Sequence, residues 1–215
     1  MKKYFLFLMS FLLISCELGD GNQNYKRGVF LLLDTSGTYT EELENVKSVV
    51  NRLLVNLEAD DTFFVAKIDS DSFSEKDIVA KITLDSRPSV ANRQKREFAA
   101  TIDKFISEVK SSEFTDISGG LLQAIDYLNE AGVGSKFIYI FSDLKEDLPE
   151  EFKRDFALPL DGFSVKALNV TKLRSDNLDP TEYLARVEAW QKRVKDGGGV
   201  WGVINDFDRP DALEF

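Results

Sequence analysis

The chain contains no histidine, and its only cysteine is Cys16. Without an imidazole the usual Ser-His-Asp hydrolase cannot form, because its nucleophile has no base to take the proton. Zinc centres, which draw on His and Cys, are disfavoured for the same reason. One cysteine also excludes an intrachain disulfide framework. Positive charge is in deficit: 27 Lys and Arg stand against 37 Asp and Glu, a formal net charge of -10. No basic run exceeds Arg93-Gln-Lys-Arg96. Non-specific binding to nucleic acid or anionic lipid rests on clustered cations, so neither is expected here.

What is present begins with a short apolar segment. Lys2 and Lys3 give it a positive head, Tyr4 through Ile14 are apolar except for Ser10, and Leu13-Ile-Ser-Cys16 closes it. The run falls short of the roughly 20 residues that span a bilayer as a helix. It is similar to a bacterial lipoprotein signal, whose box is Leu-x-Ser/Ala/Gly-Cys. That resemblance implies cleavage before Cys16 and a lipid on Cys16, anchoring the protein to a membrane. The alternative is a plain secretory signal that happens to end in cysteine. Glu17, where inner-membrane retention would call for Asp, favours the outer membrane facing the periplasm if the cell is Gram-negative. Loss of residues 1–15 removes Lys2 and Lys3 and no acid, taking the charge to -12.

About 200 mature residues suit one domain with a substantial core. Residues 16–26 read as a lipidated tether, 27–205 as the domain, and 206–215 as a polar tail that frays. Val29–Leu33 and Thr62–Ile68 are apolar strand candidates, and Ile78–Leu84 alternates like a half-exposed edge strand. Leu43, Val46, Val50, Leu53 and Leu57 make a helical stripe, in a helix expected to start near Thr40. Phe98, Ile102, Phe105 and Val109 make a second, and Leu121, Ile125 and Leu128 a third. Lys136–Ser142 and Phe163–Val170 resume strand character, with a short helix expected around Phe152 and Phe156. Asp179-Pro-Thr-Glu182 opens a further helix with a capping box. Tyr183, Val187, Trp190 and Val194 are its buried stripe, Gly197–Gly199 stop it, and Val200–Ile204 closes the sheet. Alternating strands and helices predict an α/β fold, a mostly parallel six-stranded Rossmann-like sheet with helices on both faces. Such sheets bind ligands at the carboxyl ends of strands, where strand order reverses.

Asp34-Thr-Ser-Gly-Thr38 follows the first strand, and Asp143 follows the strand at 136–142. If those strands are neighbours, the two carboxylates share one edge of the sheet. Ser36 and Thr38, two residues apart in one loop, can turn hydroxyls toward one point. Thr115 lies in Phe-Thr-Asp-Ile-Ser-Gly-Gly-Leu121. This ordered set resembles the metal-ion-dependent adhesion site of von Willebrand factor type A domains: Asp-x-Ser-x-Ser after the first strand, then a distant Thr, then a distant Asp. Thr38 departs from the pattern by replacing Ser but keeps the hydroxyl. The resemblance implies Asp34, Ser36, Thr38, Thr115 and Asp143 as an all-oxygen set for Mg2+, or Mn2+ or Ca2+. It also implies a coordination position left open for an Asp or Glu from a partner, here an envelope protein. Hard cations take such oxygens at about 2.0–2.1 Å for Mg2+.

Other readings stay open. The same Asp and Thr residues can cap loops without metal. Asp116 either assists the site or caps the following helix. Gly119 and Gly120 serve close packing, and Asp69-Ser-Asp71 is a self-bonded turn or the rim of a second cation site. Arg87, Arg93, Lys95 and Arg96 read as a solvated patch. A phosphatase of the haloacid dehalogenase type would need an acid two residues after Asp34, where Ser36 stands and cannot protonate a leaving group in the same way. Gly197-Gly-Gly-Val200 lacks the Lys of a phosphate-binding loop. A lipid-anchored scaffold with a vestigial metal site is the remaining alternative. Replacing Cys16 with Ser in the full chain is expected to abolish incorporation of labelled fatty acid in a bacterial host; labelling that survives would assign the lipid elsewhere.

Overall fold

The computed structural model describes residues 24–37, 42–69, 74–149, 154, 156–168, 170, 180–206, 213 and 215. Cys16, the signal segment, most of the tether, Thr38, Ser70, Asp71, Phe152 and Asp179 lie outside the described residues. The elements run in the order β1 (Arg27–Asp34), α1 (Leu43–Asn56), β2 (Thr62–Ile68), β3 (Ile78–Thr83), α2 (Pro88–Glu108), α3 (Ile117–Glu130), β4 (Ser135–Phe141), β5 (Phe163–Leu168), α4 (Pro180–Asp196) and β6 (Val200–Ile204).

The six strands order as β3-β2-β1-β4-β5-β6. All pairings are parallel except β2 with β3, which is antiparallel and carries an irregularity between Val65 and Ala66. The α/β Rossmann-like class expected from the alternating periods is the one observed. β1 is buried almost throughout because helices cover both faces. On one face α3 and α4 pack over Phe30, Leu32, Ala66, Ile138, Ile140, Val165 and Ala167. On the other, α1 and α2 pack over Val29, Leu31, Leu33, Phe63, Val65, Tyr139 and Phe141. The chain moves outward from β1 to β2 and β3, then returns to β1's other side with β4. The strand order therefore reverses between β1 and β4, and their carboxyl ends flank a crevice.

Local chemistry accounts for the helix boundaries. α2 starts with Pro88 in its first turn, where a missing N–H costs nothing. α3 is capped by Asp116, whose carboxylate accepts the Gly119 N–H at 2.7 Å. A Cβ on Gly120 would stand 3.1 Å from Leu32 Cδ2, so this glycine lets α3 sit close on the sheet. At the amino edge, Asp61 accepts the backbone N–H and the guanidinium of Arg27 and is 2% exposed.

Three expectations are corrected. Phe156 lies in a bend and 157–160 carry no regular secondary structure, so no helix reaches Phe156; Phe156 packs against the α3–α4 side of the core. The helix expected near Thr40 begins at Leu43. The polar tail is not wholly frayed: Leu213 is 0% exposed, its carbonyl accepts Asn56 Nδ2 at 3.2 Å, and Phe215 packs on Phe137 with ring centroids 5.1 Å apart. Two isolated apolar residues carry no period, so only tertiary packing reveals their burial. Leu213→Ala is expected to lower stability by roughly 2–4 kcal/mol, the usual cost of emptying a buried Leu site, measured by urea unfolding; an unchanged midpoint would mean the tail is not docked.

Candidate metal centre

Asp34, at the end of β1, is 0% exposed, and Asp143, two residues past β4, is 2% exposed. Leu33 pairs with Phe141 in parallel register, which sets Asp34 beside the start of the β4 loop. The Ser142 hydroxyl donates to Asp34 Oδ2 at 2.6 Å, and the Leu144 N–H donates to that same hydroxyl at 2.9 Å. Asp34 Oδ1 accepts the Ser36 N–H at 2.8 Å. Asp143 Oδ1 accepts the Lys145 N–H at 2.8 Å. Each carboxylate thus folds its own loop back on itself as an Asx turn.

Ser36 lies in a half-buried loop that bridges to a second loop. Ser36 and Ser112 form an isolated parallel bridge, and the Ser112 N–H donates to the Thr35 carbonyl at 2.8 Å. The Thr35 hydroxyl in turn donates to the Ile68 carbonyl at 2.8 Å. Three residues beyond Ser112, Thr115 exchanges both backbone hydrogen bonds with Asp147, at 2.7 and 3.0 Å. Thr115 is 3% exposed. The loop carrying it is therefore stitched on one side to the Ser36 loop and on the other to the Asp143 loop. Four of the five expected ligands, Asp34, Ser36, Thr115 and Asp143, belong to three mutually bonded loops at one edge of the sheet; the fifth, Thr38, lies outside the described residues.

Electrostatics single out the two carboxylates. Burial pushes both above the usual carboxylate range. The hydroxyl of Ser142 and the N–H of Ser36 offset part of this for Asp34. For Asp143 the Asp34 charge adds to the rise, and Arg186 and Lys145 oppose it. Among the described residues neither carboxylate is in an ion pair. Two like charges buried together without a paired cation are unfavourable, and a cation between them removes the penalty. Among the described residues no three His, Cys, Asp or Glu side chains converge as a metal cage, so any cation here depends on hydroxyls as well. An all-oxygen donor set of two acids and serine or threonine hydroxyls fits Mg2+, Mn2+ or Ca2+ and not zinc.

The neighbouring candidates resolve differently. Asp116 caps α3 and forms an ion pair with Arg154 at 2.5 Å. Asp69 pairs with Lys67 and accepts the Ser112 hydroxyl at 2.7 Å, so it joins loops. Arg87 is clamped on Asp85, and Lys95 donates to the Leu57 carbonyl at 2.7 Å, which breaks up the basic patch. Ser142 was missed as a site residue. Its one signal is its place directly before Asp143, just past the strand that neighbours that of Asp34. Arg186, Trp190 and Arg193 were read only as part of a helix, yet they reach these loops.

No family model and no curated protein sequence matches the chain. Solved structures do. A von Willebrand factor type A protein from Catenulispora acidiphila matches over 84% of this chain and 39% of its own, at 14% identity and a TM-score of 0.53. A mutant of the PilB minor pilin from Streptococcus sanguinis matches over 88% of this chain and 59% of its own, at 12% identity and a TM-score of 0.53. This chain thus spans less than two thirds of either protein, and at these identities the likeness is one of fold.

The raised carboxylates give a signed prediction. In metal-free protein the folded state holds its protons to higher pH than the unfolded chain. Stability therefore falls as pH rises from the unfolded carboxylate value through the raised folded one, and the penalty persists above it. Asp143→Asn keeps the acceptor for Lys145 and removes a charge. At pH 7 in chelator it is expected to melt about 2–4 °C higher than the parent, on the order of 1 kcal/mol for a domain of this size. Below the window the two should converge, and a lower melting point at pH 7 would contradict the account.

Proposed function

We propose that this chain, whose fold is that of a von Willebrand factor type A domain, is a cell-envelope protein-binding module and not an enzyme. Its site takes a divalent cation, Mg2+ or in its place Mn2+ or Ca2+. The single observation that supports the reading most is the pair of buried carboxylates, Asp34 and Asp143, at the strand-order reversal with no ion-pair partner among the described residues. Asp34 and Asp143 supply the negative charge. Ser36 and Thr115, with Thr38, supply hydroxyls. When bound, the cation supplies a positive centre able to accept an acidic side chain from a partner. Ser142 orients Asp34 through its hydroxyl, and the Ser36 and Lys145 amides hold the two carboxylates in place before any ligand arrives. Binding of this kind is paid for once, in folding, by the burial of those acids.

The module is placed in the envelope by the segment ending at Cys16, with Cys16 carrying lipid and the domain facing an envelope protein that presents Asp or Glu. Among the described residues no helix is long and apolar enough to cross a membrane. The PilB minor pilin shares the fold, which is in keeping with a surface-assembly context. A phosphatase-like hydrolase fits less well. Ser36 stands where the acid would be, and its N–H is spent on the very carboxylate that would act as nucleophile. The scaffold reading, with a vestigial site, predicts no metal response.

Calorimetric titration of the mature domain with Mg2+ or Mn2+ separates these readings. Parent protein is expected to bind, and Asp34→Ala and the isosteric Asp143→Asn are each expected to weaken binding at least about tenfold, as removal of one charged ligand does. An unchanged heat in Asp143→Asn would overturn the site. Hydrolysis of a generic phosphate ester with Mg2+ is expected to be absent; turnover lost in the Asp34 variant would favour the enzyme.

A further inference from the structure

Helix α4 carries no candidate ligand, yet one face of it holds the Asp143 loop and the start of α3 beside Thr115. Arg186, Trp190 and Arg193 are spaced by four and three residues and so lie on one side of the helix. Arg186 Nε donates to the Asp143 carbonyl at 3.1 Å. Trp190 Nε1 donates to the Leu144 carbonyl at 3.0 Å in a buried contact. Arg193 reaches the first turn of α3, directly after the Thr115 loop: Nη1 donates to the Ser118 hydroxyl at 2.5 Å, and Nη2 to the Arg154 carbonyl at 2.7 Å. Arg154 in turn is paired with Asp116, next to Thr115. Glu146, on the Asp143 loop, accepts the Ser118 N–H at 2.7 Å and stands 3.7 Å from Arg193. The two loops are thereby joined to each other and to the helix at one point.

The geometry of this arrangement shows what it holds. Leu144 has φ 64°, a left-handed conformation uncommon for a residue with a side chain. Such a backbone persists where its surroundings over-determine it. The Leu144 side chain is 1% exposed, its N–H is bound to Ser142 and its carbonyl to Trp190. The turn that aims Asp143 is thus fixed from within the loop and from α4. Trp190 and Val194 are themselves buried against the sheet, and the Arg193 guanidinium lies over the Trp190 and Phe156 rings at 5.2 and 5.7 Å. The clamp is anchored in the core.

We propose that α4 is the positioning element of the site: its Arg186–Trp190–Arg193 face fixes the Asp143 loop relative to the Thr115 loop and thereby sets cation affinity. The bearing on affinity rests on the cation reading above; the mechanical part does not. Any partner that shifts α4 would then change the affinity of the site, and by linkage cation binding would steady α4.

The test uses the mature domain and three variants. Arg193→Met keeps an aliphatic stem over the rings and removes the donors. Trp190→Phe keeps an aromatic ring and removes the indole N–H. Leu184→Ala, at a residue 56% exposed, is the control on the outer face. Amide exchange in chelator is read at Ser118 and Gly119, in the first turn of α3 that closes the Thr115 loop, and at Leu144 and Lys145 in the Asp143 loop. Arg193→Met and Trp190→Phe are each expected to speed exchange in both loops at least about tenfold with strand β1 unchanged, and Leu184→Ala to change none of them. Mg2+ affinity by calorimetry is expected to fall about tenfold in Arg193→Met, with Arg193→Lys recovering part of it. Exchange equal to the control, or exchange confined to the loop that was cut, overturns the clamp. Faster exchange with parental Mg2+ affinity overturns its role at the site. A parent that binds no Mg2+ overturns the cation reading instead, while the exchange data alone still decide the mechanical claim.

Discussion

The Ser142 hydroxyl bonded to Asp34 is the contact around which the site is organised. It joins the ends of two strands separated by more than a hundred residues of chain, at the place where strand order reverses. It also compensates a carboxylate that the sheet has taken out of water. A buried acid needs hydrogen bonds, a counter-charge or a proton. Asp34 has the first from the Ser142 hydroxyl and from Ser36. Asp143, beside it, has one amide bond and a like-charged neighbour. The residual imbalance is the ground on which a cation is proposed at this edge of the sheet.

The loops above the sheet are bound to one another more than to the strands they leave. Ser112 reaches Thr35 and Asp69, Thr115 pairs with Asp147, and Glu146 reaches Ser118. Polar groups that carry no candidate ligand do most of this joining. Such a network is strong only when its members are satisfied together, because an unpaired buried partner costs more than a bond gains. Of the two roles open to Asp116 in the sequence, assisting the site or capping the following helix, the structure shows the cap, locked by Arg154.

Most of the architecture was legible from period and punctuation. Apolar runs gave β1, β2 and β4, the 3-and-4 stripes gave α1, α2 and α3, and Pro180 with Gly197–Gly199 bracketed α4. Around Phe156 the local helical signal failed, and the residue is held instead by packing against the core. Leu213 and Phe215 were illegible because two apolar residues in a polar segment show no repeat, and their burial depends on the groove left beside Asn56 and Phe137. In the site, residue types announced Asp34, Ser36, Thr115 and Asp143. Ser142 was announced only by its place before Asp143, since its role comes from meeting Asp34 at the end of another strand.

The sequence by itself determined the alternation of strand and helix, the absence of imidazole, and the set of candidate oxygen donors, because these follow from residue identity and spacing. Tertiary structure alone decided that β1 and β4 are neighbours, that Asp34 and Asp143 are buried together, and that α4 reaches back to both loops. Those facts depend on which surfaces meet across long stretches of chain, and one face of a helix does not record which loop it will touch.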